Sequence, residues 1–105
     1  MYQLEFTDPA QSQLDAIEKS KNDPGLAKQV KKALGYLQTN PKHPSLHTHP
    51  YDSLVNPINS NEKVFGVYAQ NNTPGAYRIF FVYGSAKKSP TKGRIITIVA
   101  ITSHP

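Results

Sequence analysis

The chain has 105 residues and no cysteine, a length that suits one domain over residues 1–105 and a composition that excludes disulfide frameworks, thiol nucleophiles and thiolate metal sites. With 37% hydrophobic and 18% charged residues, it has enough apolar side chain for a core and too little charge for a disordered chain. The net charge of +5 is unevenly spread: residues 1–25 hold two basic and five acidic side chains, whereas the rest holds ten basic ones against Asp52 and Glu62 alone, so a polyanion is drawn to the C-terminal three quarters.

Tyr2, Leu4 and Phe6 alternate with Gln3, Glu5 and Thr7, the period-two pattern of a strand with one buried face. Asp8-Pro9 ends it. Asp8 is placed to cap a helix, Pro9 to occupy its first position and Gln11 to complete a capping box; Ala10, Leu14 and Ile17 then line one side as far as about Ser20. Asp23-Pro24 repeats the start signal, and Leu26, Val30, Ala33, Leu34 and Leu37 form the apolar stripe of a second helix ended by Asn40-Pro41. Lys28, Lys31 and Lys32 lie largely off that stripe, giving either a solvated face or a nucleic-acid contact.

From Pro41 to Asn61 there are four prolines and three histidines without sustained periodicity, which predicts an irregular connection, functional or hiding a short element. Leu46 is expected to plug into the core, with the histidines at the rim and His49 able to approach a site on the sheet. The spacing of His43, His47 and His49 would admit zinc only if the loop gathered them, with Asp52 as a possible fourth ligand; no cysteine or second carboxylate supports it, and no metal or other cofactor is expected.

Val64 to Gln70 and Ala76 to Tyr83 read as strands joined by the turn residues Asn71-Asn72-Thr73-Pro74-Gly75. A polar loop with Lys87, Lys88 and Lys92 follows, and Arg94 to Thr102 resumes as strand. These lysines and Arg94 are candidates for contact with RNA, DNA or an acidic protein, giving affinity without sequence reading. The predicted architecture is α+β: an N-terminal strand, a helical hairpin, then three antiparallel strands, with the helices on one face of a four-stranded sheet. No apolar run approaches the roughly 20 residues of a membrane span, and Met1-Tyr2-Gln3-Leu4-Glu5 has no signal-peptide character; a cytoplasmic protein without a membrane partner is expected.

The order of elements, the loop sequence His43-Pro44-Ser45-Leu46, the run Tyr77-Arg78-Ile79-Phe80-Phe81 and the closing Ile98-Val99-Ala100-Ile101-Thr102-Ser103-His104 together resemble the RelE/ParE toxin superfamily over nearly the whole chain. The resemblance implies a small basic toxin neutralised by a cognate acidic antitoxin, which either cleaves mRNA on the ribosome, as the RelE branch does, or inhibits DNA gyrase, as the ParE branch does. The RelE-type reaction needs no metal: a ribose 2′-hydroxyl attacks the adjacent phosphate, which calls for cationic donors, a proton acceptor and a proton donor. Arg78 suits the phosphate, because its fork gives two charge-assisted bonds and keeps its charge at any working pH; its structural alternative is an ion pair with Glu62 or Asp52. His104 stands where family members place a catalytic residue, and imidazole titrates at about 6.5. RelE carries catalytic lysines on the strand corresponding to Val64–Gln70, whereas the matching positions here are Gly66 and Tyr68. Lys63 is then the candidate ammonium, and Tyr68 a residue to hydrogen-bond or stack on a base. With that set incomplete, the alternative is a gyrase inhibitor or a non-toxic relative acting as a protein-binding module.

Overall fold

In the computed structural model, which describes residues 1–21, 23–51, 63–70, 76–84 and 94–103, the chain is α+β. Its elements are β1 (Gln3–Phe6), α1 (Asp8–Lys19), α2 (Pro24–Thr39), a 3₁₀ turn (Pro44–Leu46), β2 (His49–Pro50), β3 (Phe65–Tyr68), β4 (Tyr77–Tyr83) and β5 (Ile95–Ser103). They form a five-stranded sheet in the order β1-β5-β4-β3-β2. β1 runs parallel to β5 and every other neighbouring pair is antiparallel. The expected four-stranded sheet is thus corrected to a mixed sheet of five strands. The extra strand, β2, is two residues long, too short to show a period in the sequence.

Thr7, not Asp8, caps α1: its Oγ1 accepts from the Ala10 amide at 3.3 Å and donates to the Val99 carbonyl at 3.3 Å. One hydroxyl therefore both satisfies an orphan helix amide and ties the helix start to β5. Gln11, one residue too far along for a capping box, donates to Asp15 Oδ1 at 3.0 Å instead. Asp23 caps α2 as predicted, accepting from the Leu26 amide at 3.1 Å, and all five stripe residues of α2 are buried.

The helices cover one face of the sheet. Leu14, Val30 and Leu37 meet Val67, Ile79, Phe81, Ile96 and Ile98 there, and Leu46 enters the same core from the 3₁₀ turn. Each fully buried side chain of this kind is worth about 1.5–3 kcal/mol. The opposite face carries a smaller cluster, Val64, Phe80 and Val82 with Tyr51, Val99 and Ala100 against it. A bulge lets β5 serve both: Phe81 pairs with Ile98 but Phe80 with Ala100, leaving Val99 as the extra residue. Ile98 and Ile101, three positions apart, consequently share the helix face. Beyond the end of β1 the edge of β5 is satisfied by Gln13, whose Oε1 accepts from the Ile101 amide at 2.7 Å. Among the described residues no helix is long and apolar enough to cross a membrane.

Candidate functional site

Strand alternation along β4 sends Ile79 and Phe81 to the helices and Arg78, Phe80 and Val82 to the other face. Arg78 lies directly opposite Tyr68 on β3 and Thr102 on β5, and directly opposed residues share a face. Its guanidinium carbon sits 4.4 Å from the centroid of the Tyr68 ring, a cation–π distance, and Nη2 donates to the Tyr68 hydroxyl at 3.3 Å. Arg78 is only 9% exposed, and its Nε is buried without a hydrogen-bond partner. A buried donor left unsatisfied costs about 1–3 kcal/mol, more when charged. The one ion pair among the described residues is Lys31 with Glu18, at 3.8 Å, so none of their carboxylates pairs with Arg78. The result is a charged fork oriented by an aromatic ring; its Nε is sealed from solvent, so an oxyanion would be met by the terminal nitrogens.

Two histidines also lie beside Tyr68. His47, in the left-handed region at φ 50°, places its ring centroid 5.6 Å from that of Tyr68; His49 stands 5.8 Å away. His49 Nδ1 lies 2.8 Å from the His47 carbonyl oxygen, which can only accept, so Nδ1 carries the proton and the neutral ring keeps a basic lone pair on Nε2. His49 pairs with Gly66 across β2 and β3, and a β-carbon at Gly66 would come 3.7 Å from His49 Nε2 and 3.2 Å from Phe80. Gly66 thus lets the Phe80 ring lie close to the backbone, and its other neighbour, His49, sits two residues along β3 from the Tyr68–Arg78 pair.

Lys63 is exposed and precedes β3, whose far end is Tyr68; five extended residues separate them by about 16 Å, so the structure does not bring Lys63 to Arg78. Lys28 and Lys31 are exposed on α2, whereas Lys32 lines a groove of about 230 Å³ that also contains Tyr68. Arg94 precedes β5 and stands 5.7 Å from the Tyr2 ring centroid, at the end of the sheet away from Arg78. His104, Lys87, Lys88 and Lys92 lie outside the described residues, as do Asp52 and Glu62, the acids considered as partners for Arg78. The zinc arrangement is not formed by the histidines: His43 stacks on Tyr36 at 4.2 Å while His47 and His49 face Tyr68, and no group of three potential ligands that could hold a metal occurs among the described residues.

The Tyr68–Arg78 contact had a sequence signal that goes beyond reading each residue singly. A five-residue connection, Asn71 to Gly75, brings Gln70 opposite Ala76 and therefore Tyr68 opposite Arg78, the register observed. The fixed tautomer of His49 had none, because it depends on the left-handed backbone at His47. No protein-family model matches the chain, no curated protein matches its sequence, and no solved structure matches its fold.

Proposed function

We propose that the domain is a RelE/ParE-like toxin of a toxin–antitoxin pair, acting in the cytoplasm as an endoribonuclease on ribosome-bound mRNA. The observation that carries this reading is the Arg78 guanidinium, braced on Tyr68 and paired with no carboxylate among the described residues. In the proposed reaction Arg78 binds two oxygens of the scissile phosphate and stabilises the charge that grows on them. The ribose 2′-oxygen attacks phosphorus as His49 Nε2 takes its proton, and the bond to the 5′-oxygen breaks as that oxygen receives a proton from His104. The products are a 2′,3′-cyclic phosphate and a 5′-hydroxyl. Tyr68 stacks on a neighbouring base, and Lys32, across the shared groove, contacts the next phosphate. A cognate acidic antitoxin neutralises the basic surface.

A second reading, a gyrase inhibitor or a protein-binding module, is favoured by Gly66 and Tyr68 standing where RelE-type lysines are expected and by the distance of Lys63. Induction in a bacterial host separates the two. With the first reading, induction arrests growth and produces new message ends, and Arg78→Ala abolishes both while the variant stays folded. Undiminished toxicity of folded Arg78→Ala contradicts the assignment of Arg78, and arrest with intact messages and inhibited supercoiling establishes the second reading.

A further inference from the structure

The other end of the sheet holds a second cavity, which reaches back to His47 and His49. α2 stops at Thr39, and its last turn meets the chain start where the Tyr2 amide donates to the Gln38 carbonyl at 2.6 Å. Beyond that point no helix among the described residues covers the sheet, and a cleft of about 730 Å³ opens between the sheet end and the His43–Pro50 segment, within the usual range for small-ligand sites. Its floor is aromatic. Tyr83 meets Phe65 edge-on at 5.3 Å and Tyr2 at 6.2 Å, and it remains 40% exposed, an unusual exposure for a large ring in such a cluster.

The polar lining is one-sided. Lys42 and His43 line the cleft, and no acidic side chain does so among the described residues. His43 Nδ1 accepts from the Ser45 amide at 3.1 Å, so the neutral ring carries its proton on Nε2 and is a donor there. Arg94 adds a third cationic or donor group at this end, 5.7 Å from the Tyr2 ring. Burial and the nearby Tyr2 phenol push the Tyr83 hydroxyl above its ordinary pKa, keeping it an O–H donor. Flat rings available for stacking, beside cations and donors without a matching acid, fit one class of ligand: a planar heteroaromatic base bearing a phosphate.

We propose that this cleft is a nucleotide-binding site in which a base stacks on Tyr83 with its edge toward Phe65 and the phosphate is held by Lys42 and the His43 Nε2–H. His49 lines this cleft as well as the proposed cleavage site, but Arg78 and Tyr68 do not. Tyr83 closes β4 five residues from Arg78, about 16 Å along the strand, and its aromatic partners Phe65 and Tyr2 pack against the helix-side core, whereas Arg78 faces the other way.

Calorimetric titration of the full chain with 5′-AMP, adenosine and inorganic phosphate tests it, with amide shifts in NMR spectra locating the response. Saturable 5′-AMP binding is expected, tighter than either adenosine or phosphate alone. Tyr83→Leu should weaken 5′-AMP about tenfold, as loss of one stacking partner does. Because Tyr83 packs on its neighbours, exposed Lys42 supplies a second variant that leaves the core untouched: Lys42→Gln should weaken 5′-AMP severalfold and leave adenosine unchanged. Arg78→Ala should bind all three ligands as the parent does, so failure of the cleavage reading leaves this result standing. A 5′-phosphorylated oligoadenylate binding as tightly as 5′-AMP identifies the occupant as a nucleotide at an RNA end; preference for 5′-AMP identifies a free nucleotide. Absence of saturable 5′-AMP binding to the folded parent, or phosphate binding as tightly as 5′-AMP, or a folded Tyr83→Leu variant with parental affinity, overturns the proposal.

Discussion

Ile79 and Phe81 on β4 are sealed beneath two helices, while their immediate neighbours Arg78 and Phe80 belong to the opposite face, where a guanidinium is buried with an unsatisfied nitrogen. The same strand thus builds a large apolar core on one side and, on the other, a small apolar cluster beside one buried charge. The first face gains stability from area removed from water. The second gives some of it up, because desolvating a charge without full compensation is costly. A fold tolerates that arrangement where the large core supplies the stability and the charged face is available for binding.

The largest expected effect sharpens this contrast with one chemistry on two faces. Phe81→Ala should cost about 3–5 kcal/mol in denaturant unfolding, since Phe81 is fully buried among rigid neighbours. Phe80→Ala should cost at least about 1 kcal/mol less, because its cluster is small and Tyr51, 4.8 Å away, can close part of the cavity. Equal costs would break the distinction between a stabilising and a binding face. Next comes Gly66→Ala: the added β-carbon would lie 3.2 Å from Phe80, forcing a shift worth about 1–3 kcal/mol. His49 should stay in place, since 3.7 Å from its Nε2 is an ordinary contact, and RNA cleavage should remain near the parental rate. A variant as stable as the parent would show that the Phe80 ring has room to yield. The smallest change is at the helix-side scaffold. Asp23→Ala removes the cap of α2 and should cost about 1 kcal/mol, a fall in melting temperature of about 4–8 °C, with ligand binding at the opposite face unaltered.

The helical side of the molecule was legible because its signals are local. The α2 stripe and the Asp23-Pro24 start each lie within one turn or one period, and both are present as read. Asp8-Pro9 gave the right helix with the cap displaced by one residue, since Thr7 competes for the role and gains a second bond to β5. The sheet was harder for a physical reason. Ile95 to Ile101 is apolar on both faces, so inserting Val99 as a bulge disturbs no alternation that could be seen in the sequence. β2 is two residues beside a left-handed histidine, a feature fixed by packing against β3 rather than by local preference. Arg78 and Tyr68 were each identifiable as candidates, and their juxtaposition followed from the hairpin register. His49 was readable as near the site, whereas its proton placement required the carbonyl of His47.

The central claim is that Arg78 is held for an external anion and not for the fold. Arg78→Met keeps most of the buried volume and removes the charge, so its thermal unfolding and its RNA cleavage should diverge. The account predicts a variant at least as stable as the parent, because replacing an incompletely compensated buried charge by an apolar group is often neutral or stabilising, with cleavage reduced about 100-fold or more. Destabilisation by several kcal/mol, or cleavage at the parental rate by the folded variant, would contradict it.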